Sequence, residues 1–215
     1  MKIAALILAA GSASRFGSLK QLASINNKPM LQHCIDSANG PLSDNVYTLL
    51  GHQSKLIKSN ITGTKVIEHP EWERGIGSSI AVGVDYLSKD FEAILIMLGD
   101  QPMIKSAHVE QLIALFKEQH QDQLQKEQLK KDQSQKDQPQ NYQQIVCSQY
   151  QNNLAVPAIF SKTHFHDLMQ LDGDQGAKQL LTNLSPPPKV LALEKVYKDV
   201  DHPQDLIDVA LETSS

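Results

Sequence analysis

The chain has 215 residues and a formal net charge of -4, from 20 basic and 24 acidic side chains. A chain of this length buries roughly 70% of its unfolded surface, so we expect one domain over residues 1–215 that needs no disulfide or structural metal. The acidic balance argues against nucleic acid as a partner. No apolar run reaches the roughly 20 residues that span a bilayer, and the two cysteines form no disulfide framework, so we expect a cytoplasmic protein without a membrane partner.

The N-terminal residues have a second interpretation. Lys2 followed by the apolar residues 3–10 resembles a short secretory signal. The single basic residue, the shortness of the apolar stretch and the motif directly after it favour a retained strand instead.

Short apolar runs predict strands at residues 3–10, 46–50, 65–68, 93–98, 145–148 and 189–193. The first run has no polar alternation, which is typical of a strand that is covered on both faces in a parallel sheet. Segments with helical spacing separate these runs. This alternation of strands and helices predicts an α/β protein.

Helical spacing of apolar residues recurs between the predicted strands. The first predicted helix begins at about Pro29 and ends near Gly40. A second helix follows Ser78 and Ser79, either of which could cap it. Further helices are predicted behind Ser106, at residues 165–169 and at residues 206–210.

Residues 117–144 differ in composition from the rest of the chain, because 11 of these 28 residues are Gln and 10 are charged. Such a segment buries too little apolar surface to compensate for its ordering entropy. We interpret it as a surface insertion that extends the preceding helix before fraying near Pro139. A partner-binding coiled coil is the alternative, but Leu124 and Leu129 alone do not form a heptad seam.

A loop suited to an anion follows the first predicted strand. It runs through Gly11, Arg15 and Gly17 to Lys20. Small residues at the carboxyl end of a parallel strand let backbone amides approach a ligand, and two cations in one loop suit a polyphosphate. The spacing matches neither the dinucleotide motif G-x-G-x-x-G nor the P-loop. A surface turn with two solvated cations is the structural alternative.

A carboxylate occupies the corresponding point of another predicted strand. The apolar run at residues 93–98 ends in Gly99, Asp100, Gln101 and Pro102. Mg²⁺ binds proteins through one or two carboxylates together with phosphate oxygens of the substrate. Asp100 could supply one such carboxylate opposite the cationic loop, although Gly-Asp-x-Pro also describes many turns.

Taken together, these motifs resemble one known family. The resemblance is carried by residues 8–11 with Arg15, Gly17 and Lys20, and by residues 75–80, 99–102, 173–177 and 199–203. These segments are similar to the MobA-like nucleotidyltransferases, and within that group most similar to the molybdenum cofactor cytidylyltransferases of the MocA type. The resemblance implies a Rossmann-like nucleotidyltransferase fold, with a mostly parallel central sheet and helices on both faces. It also implies transfer of CMP from CTP to the phosphate of molybdopterin, with release of pyrophosphate and with Mg²⁺ as cofactor.

The resemblance also assigns roles to individual residues. Arg15, Lys20 and Asp100 would be catalytic, and Asp100 and Asp201 would hold Mg²⁺. Asp199 is the alternative to Asp201, because strand alternation would turn both to one face. The nucleotide would be bound by Leu8, Ala9, Ala10, Gly11, Arg15, Lys20, Gly75, Ser78, Ser79 and Asp100.

Two positions favour the cytidylyl branch of the family. Ala10 stands where the guanylyl branch typically has Gly, and Gln101 stands where that branch has Met. The methyl group of Ala10 takes space that a purine could use, and steric discrimination of this kind is worth about 1–3 kcal/mol.

The acceptor would be bound by Gln101 and Asp174. Asp174 lies in a Gly-Asp-Gln-Gly turn before a predicted helix start at Gly176, although an acidic residue there could equally serve only to cap that helix. Ala155 replaces a Gly that the family often has, so the identity of the acceptor stays open.

Two other functions remain open. One is a related transferase that uses GTP, or one with a sugar-phosphate or polyol-phosphate acceptor. The other is a non-catalytic nucleotide-binding chaperone that passes its ligand to a molybdoenzyme, with the Gln-rich insertion as docking arm. Retention of two metal carboxylates favours the enzyme, for which a transient contact with a molybdoenzyme or its chaperone is also expected.

Three further residues are expected to be unreactive. His164 and His166 are two positions apart, so on a helix they would point apart and could not bind one metal ion. We expect both to be solvated. Cys34 lies on the apolar face of the first helix and is expected to be inert packing.

Overall fold

The computed structural model describes residues 1–12, 16–132, 144–182, 184, 187–193 and 199–213. The predictions for Arg15 and Pro139 therefore lie outside the described residues. Within them, no helix has both the length and the apolar character needed to cross a membrane.

The strands and helices alternate along most of the chain. The strands are β1 (Ile3–Leu8), β2 (Ser24–Ile25), β3 (Lys28–Pro29), β4 (Val46–Leu50), β5 (Lys65–Glu68), β6 (Ala93–Leu98), β7 (Ile145–Tyr150), β8 (Asn153–Ser161) and β9 (Lys189–Ala192). The helices are α1 (Met30–Leu42), α2 (Ser54–Lys58), α3 (Ile76–Leu87), α4 (Ser106–Asp132), α5 (Phe165–Met169), α6 (Lys178–Thr182) and α7 (Pro203–Thr213). Short 3₁₀ turns include Lys20–Leu22 and Trp72–Arg74.

In the described residues the main sheet has seven strands in the order β5-β4-β1-β6-β8-β7-β9. Strands β5, β4, β1 and β6 are parallel, and β7 and β9 pair in parallel. Strand β8 is antiparallel to both of its neighbours. The prediction of an α/β fold with a mostly parallel sheet is therefore confirmed.

The sequence patterns did not predict β8. It forms a hairpin with β7 through Gln151 and Asn152, whose φ angles are +45° and +67°. Left-handed geometry at both central residues is the requirement of a tight hairpin turn, which is most easily recognised in sequence as Asn-Gly or Asp-Gly. Because Gln-Asn lacks the glycine, this turn carries a weak signal.

Helices cover both faces of the sheet, as expected. Every residue of β1 is buried. Ala5 and Ile7 pack on the side of α1 and α4, whereas Leu6 packs on the side of α3 and α5. An apolar run without alternation therefore corresponds to a strand with an apolar layer on each face.

The carboxyl ends of β1 and β6 are adjacent. Leu8 pairs with Leu98 in the parallel register, and the amide of Gly99 donates to the carbonyl of Leu8 at 2.9 Å. Because β4 lies on the other side of β1, the strand order reverses at β1. Open α/β sheets bind ligands in the crevice outside the strand ends at such a point.

Two predicted helix boundaries were wrong. Helix α1 continues through Gly40, where an added Cβ would lie 3.0 Å from Ser106 Oγ, so this glycine permits close packing against α4. Helix α3 begins at Ile76, before both serines, and neither of them caps it. Gly75 precedes it with a φ of +104°, a backbone conformation that favours glycine.

The Gln-rich segment extends the preceding helix as expected, because α4 runs to Asp132. Residues 133–143 lie outside the described part of the chain. Gln144, which we had placed at the end of the surface insertion, is buried instead, with its Nε2 atom 3.1 Å from His120 Nδ1.

The expectation that His164 is solvated was wrong. It lies in a 3₁₀ turn before α5, where helical spacing does not set its direction, and it is 4% exposed. Burial lowers the pKa of its imidazole below the ordinary value. Cys34 is buried as expected, and burial raises the pKa of its thiol to about 12, so the reactive thiolate does not form at neutral pH.

Candidate active site

Lys20 joins two acidic residues that are distant in sequence. Its Nζ atom donates to Asp100 Oδ2 at 2.8 Å and to Asp201 Oδ1 at 3.2 Å. Burial by itself disfavours the ammonium ion, but the charge of Asp100 and the hydrogen bonds to both carboxylates more than compensate, and the pKa of Lys20 lies above its ordinary value. The predicted catalytic lysine and both predicted metal ligands are thus brought together at one point.

The C-terminal segment at residues 199–201 distinguishes the two candidate metal ligands. The amide of Val200 donates to the carbonyl of Asp100 at 3.1 Å, which fixes this segment beside β6. Asp201 contacts Lys20, whereas Asp199 Oδ1 accepts from Gln101 Nε2 at 2.9 Å. The segment is not a strand, so the alternation that we used to place both carboxylates on one face does not apply.

The buried position of Asp199 disfavours its charge. Burial raises the pKa of its carboxyl group above the ordinary value, and the negative charge of Asp100 raises it further. A divalent ion needs ionised carboxylate ligands, so this environment favours Asp201 over Asp199 as the second ligand.

The donor set at Lys20 fits a divalent cation that is shared with a substrate. Asp100 Oδ1 is buried and has no hydrogen-bond partner among the described residues. Carboxylate oxygens are the ligands that Mg²⁺ prefers. No group of three His, Cys, Asp or Glu side chains suited to a metal occurs in the described residues. The protein would therefore supply Asp100 and Asp201, and a substrate would complete the coordination.

A cavity of about 410 Å³ opens beside this cluster. Its walls come from the loop after β1, the turn after β6 and the start of α3, and its volume falls in the range of roughly 300–1,000 Å³ typical of ligand pockets. Its lining includes the predicted residues Leu8, Ala9, Ala10, Gly11, Lys20, Gly75, Ser79 and Asp100. It also includes Ser12, Gln21, Met30, Trp72, Glu73, Ile76, Leu98 and Gly99.

Gln21 is a site residue to which the sequence gave no role. Its Nε2 atom donates to the carbonyls of Ala9 at 3.1 Å and Gly11 at 2.7 Å. The amide of His52 donates to the carbonyl of Ala10 at 2.9 Å. Three successive carbonyls of the loop are thus engaged by the protein, which leaves their conformation fixed.

The two predicted serines of α3 have different environments. Ser79 lines the cavity, but Ser78 does not. Ser78 is buried with its Oγ 3.0 Å from His69 Nε2, and it donates to the carbonyl of Gly75 at 2.9 Å. Its position corrects our expectation that both hydroxyls face the nucleotide. Ser78 instead holds the turn at Gly75.

The start of α3 is also less free than expected. The amide of Gly77, which we had counted among the available helix N-terminal donors, donates to the carbonyl of Gly173 at 2.9 Å. Arg74 Nη2 lies 3.1 Å from Asp172 Oδ1. The turn at residues 172–173 therefore packs against the helix start rather than leaving it open to a ligand.

A smaller cavity of about 170 Å³ adjoins the first and shares Leu8, Ile76 and Leu98 with it. Gln101, one predicted acceptor residue, lines this cavity, and its Oε1 atom is buried without a partner among the described residues. The lining also includes Ala155, Val156, Lys178 and Asp199. Asp174, the other predicted acceptor residue, is exposed and lines neither cavity.

Comparison with known proteins gives one family and consistent structural relatives. Residues 5–188 match the family model of the MobA-like NTP transferase domain. The bifunctional protein GlmU of Alcanivorax borkumensis is 32% identical over 117 residues, which are 53% of this chain and 25% of GlmU. The chain spans about a quarter of the length of the curated relatives it matches.

The crystal structure of Rv0371c from Mycobacterium tuberculosis has a TM-score of 0.76 and 25% identity, and covers 99% of this chain and 98% of its own. A complex of Rv0371c with manganese has a TM-score of 0.72 and 22% identity, with 99% and 100% coverage. These likenesses support the Rossmann-like nucleotidyltransferase fold. By the family match over most of its length, the chain belongs to the MobA-like NTP transferase domain family and is an enzyme of the nucleotidyltransferase kind.

Proposed function

We propose that the chain transfers CMP from CTP to the phosphate of molybdopterin and releases pyrophosphate, in a reaction that requires Mg²⁺. The meeting of Lys20, Asp100 and Asp201 beside the main cavity carries this proposal. A cation and two carboxylates at the ends of neighbouring strands suit a triphosphate and a divalent ion that is bound with it.

The reaction needs no protein nucleophile. An oxygen of the acceptor phosphate attacks the α-phosphorus of CTP and forms a new P–O bond. The bond from the α-phosphorus to the oxygen that bridges to the β-phosphorus breaks, and its electron pair leaves with pyrophosphate. The enzyme contributes positioning and charge neutralisation.

Each site residue has a part in this chemistry. Lys20 places a positive charge against the triphosphate and the leaving pyrophosphate. Held by Asp100 and Asp201, Mg²⁺ would neutralise further phosphate charge and orient the triphosphate. Gln21 holds the carbonyls of Ala9 and Gly11, which keeps the loop in the conformation that receives the nucleotide.

The manganese complex of Rv0371c supports a divalent metal in this fold. The choice of Mg²⁺ rests on its preference for one or two carboxylates plus phosphate oxygens. The choice of CTP rests on Ala10, whose methyl group lies in the lining of the main cavity and narrows the space for a purine.

The smaller cavity suits the acceptor. Ile80, Ile96 and Val156 give it apolar walls, and Gln101 and Lys178 give it polar groups. The free Oε1 atom of Gln101 can accept a hydrogen bond from a ring N–H such as a pterin carries. We assign the ring of molybdopterin to this cavity.

A second candidate is a transferase of the same family with GTP as donor or a sugar-phosphate or polyol-phosphate as acceptor. Ala155 favours it, because this departure from the glycine common in the family lies in the lining of the smaller cavity. A methyl group there changes the shape of the proposed acceptor site.

Pyrophosphate release distinguishes these functions. The purified protein is incubated with Mg²⁺ and each of the four nucleoside triphosphates, with and without molybdopterin, and EDTA is the metal-free control. We expect release with CTP only when molybdopterin and Mg²⁺ are present. Release with GTP, or with a sugar-phosphate in place of molybdopterin, would establish the second candidate. Tight nucleotide binding without release under any condition would indicate the non-catalytic chaperone.

A further inference from the structure

Lys20 has two roles that it cannot fill at once. Its Nζ atom lies within hydrogen-bond distance of both Asp100 and Asp201, and its side chain is 14% exposed. The proposed function requires the same ammonium group to contact a triphosphate and requires the same two carboxylates to hold a divalent ion. In the nucleotide-free protein the carboxylates are already paired with Lys20.

We propose that the Lys20 ammonium occupies the divalent-cation position in the nucleotide-free protein, and that Lys20 and the metal compete for Asp100 and Asp201. This inference rests on the proposed function. The triphosphate would draw Lys20 away from the carboxylates, and the divalent ion would enter with the nucleotide rather than before it.

The electrostatics of the cluster support exchange rather than joint occupancy. An ammonium group between two carboxylates and a divalent ion on the same carboxylates would repel each other strongly, because the cluster is partly buried and poorly screened. The flexible four-carbon stem of lysine allows its charge to move between acceptors. Asp199 and Glu73, near the cluster and in the cavity wall, add negative charge and do not replace Lys20 as the cation.

Asp100 shows that Lys20 does not satisfy the carboxylates completely. Its Oδ2 atom accepts from Lys20, but its Oδ1 atom is buried without a hydrogen-bond partner among the described residues. A buried carboxylate oxygen without a partner is unfavourable, so Asp100 retains capacity for a further cation ligand. Its contact with Lys20 therefore resembles that of a displaceable counter-ion.

The test is Mn²⁺ binding to the full-length protein without nucleotide, measured by titration calorimetry. We expect Lys20→Met to bind Mn²⁺ at least about tenfold more tightly than the wild type, within the usual range of coupling between two ligands of one site. Lys20→Gln is a second neutral variant in case the first fails to fold. Lys20→Arg keeps the positive charge and should bind as weakly as the wild type. Lys28→Met, which removes an exposed lysine paired with Asp36, is the control and should leave Mn²⁺ affinity unchanged.

The double variant Lys20→Met with Asp201→Asn should lose the gain, because one of the two carboxylates is then neutral. Folded Lys20→Met or Lys20→Gln protein that binds Mn²⁺ no better than the wild type overturns the exchange. This result is independent of turnover. A protein that releases pyrophosphate but shows no gain in Lys20→Met refutes the exchange alone, whereas a gain without pyrophosphate release under any condition refutes the proposed function and leaves the competition established.

Discussion

The side-chain amide of Gln21 donates to the carbonyl of Gly11 at 2.7 Å, so a residue of the 3₁₀ turn holds the loop that begins ten positions earlier. A second hydrogen bond from the same nitrogen reaches Ala9. Gln21 is 6% exposed, so these bonds are shielded from water. The loop lines the main cavity, and its shape therefore depends on a side chain that we have not placed in the chemistry itself.

We expect Gln21→Leu to weaken nucleotide binding more than catalysis. The substitution leaves two loop carbonyls without their donor, which costs about 1–3 kcal/mol and loosens the loop. A loss of about 1.4 kcal/mol corresponds to a tenfold rise in KM for CTP, with a smaller change in kcat. Steady-state kinetics measures both constants.

Gln32→Leu is the matched control, because Gln32 forms its hydrogen bonds with Asp36 and Thr62 at the surface of α1. It should leave the KM for CTP unchanged. An unchanged KM in Gln21→Leu would show that the loop keeps its shape without this side chain.

Gly11→Ala should separate ligand binding from stability. A Cβ built at Gly11 meets nothing within 4 Å, and Gly11 lines the main cavity. The free energy of unfolding should therefore stay within about 0.5 kcal/mol of the wild type. The added methyl group occupies ligand space, so the Kd for CTP measured by calorimetry should rise at least about tenfold, or about 1.4 kcal/mol. Equal CTP affinity in the two proteins would place the nucleotide elsewhere.

Gly75→Ala should reduce stability. Gly75 has a φ of +104°, and an added Cβ would lie 2.3 Å from the carbonyl oxygen of Gly173. Backbone strain and overpacking each cost about 1–3 kcal/mol, and urea denaturation should show a loss of at least that size. Gly176→Ala is the control, because the nearest atom to its added Cβ is 3.9 Å away. A Gly75→Ala protein as stable as this control would contradict the packing described for the helix start.

The buried imidazole of His164 should make stability depend on pH. Burial lowers its pKa in the folded protein, so the unfolded chain binds the proton more readily. Its contribution to stability is present above the unfolded pKa of about 6.5 and is lost as the pH falls from there through the folded pKa. We expect the free energy of unfolding to fall less between about pH 7.5 and pH 5.5 in His164→Phe than in the wild type.

Some pH dependence should remain in His164→Phe, because burial also lowers the pKa of His69. His166→Gln changes an exposed neighbour and should retain the wild-type slope. If wild type and His164→Phe lose stability in parallel, His164 does not resist protonation in the folded protein.

The pairing of Lys20 with Asp100 follows from features visible in the sequence. Each residue belongs to a segment that leaves an apolar run, and the carboxyl ends of neighbouring parallel strands meet at one edge of the sheet. The cavity beside them could be predicted for the same reason. The strand alternation and the helix faces gave most of the sheet, because burial on both faces leaves an unbroken apolar pattern.

Other features depend on contacts that leave no periodic signal. Asp201 contacts Lys20 because the amide of Val200 binds the carbonyl of Asp100, a bond that no local pattern predicts. Ser78 and Ser79 are neighbours on a helix and point about 100° apart, so only one could face the cavity. Gln21 acts through a side chain that reaches back along the chain, and its sequence neighbourhood gave no reason to single it out.

The most direct test of the central claim is the rate of CTP-dependent pyrophosphate release by Asp100→Asn in the presence of Mg²⁺ and molybdopterin. The account predicts a loss of about 10²–10³ in kcat, equivalent to about 3–4 kcal/mol of transition-state stabilisation, with a circular dichroism spectrum like that of the wild type. Asp36→Asn, which alters an exposed partner of Lys28, should retain the wild-type rate. Near-normal turnover by folded Asp100→Asn would contradict the account.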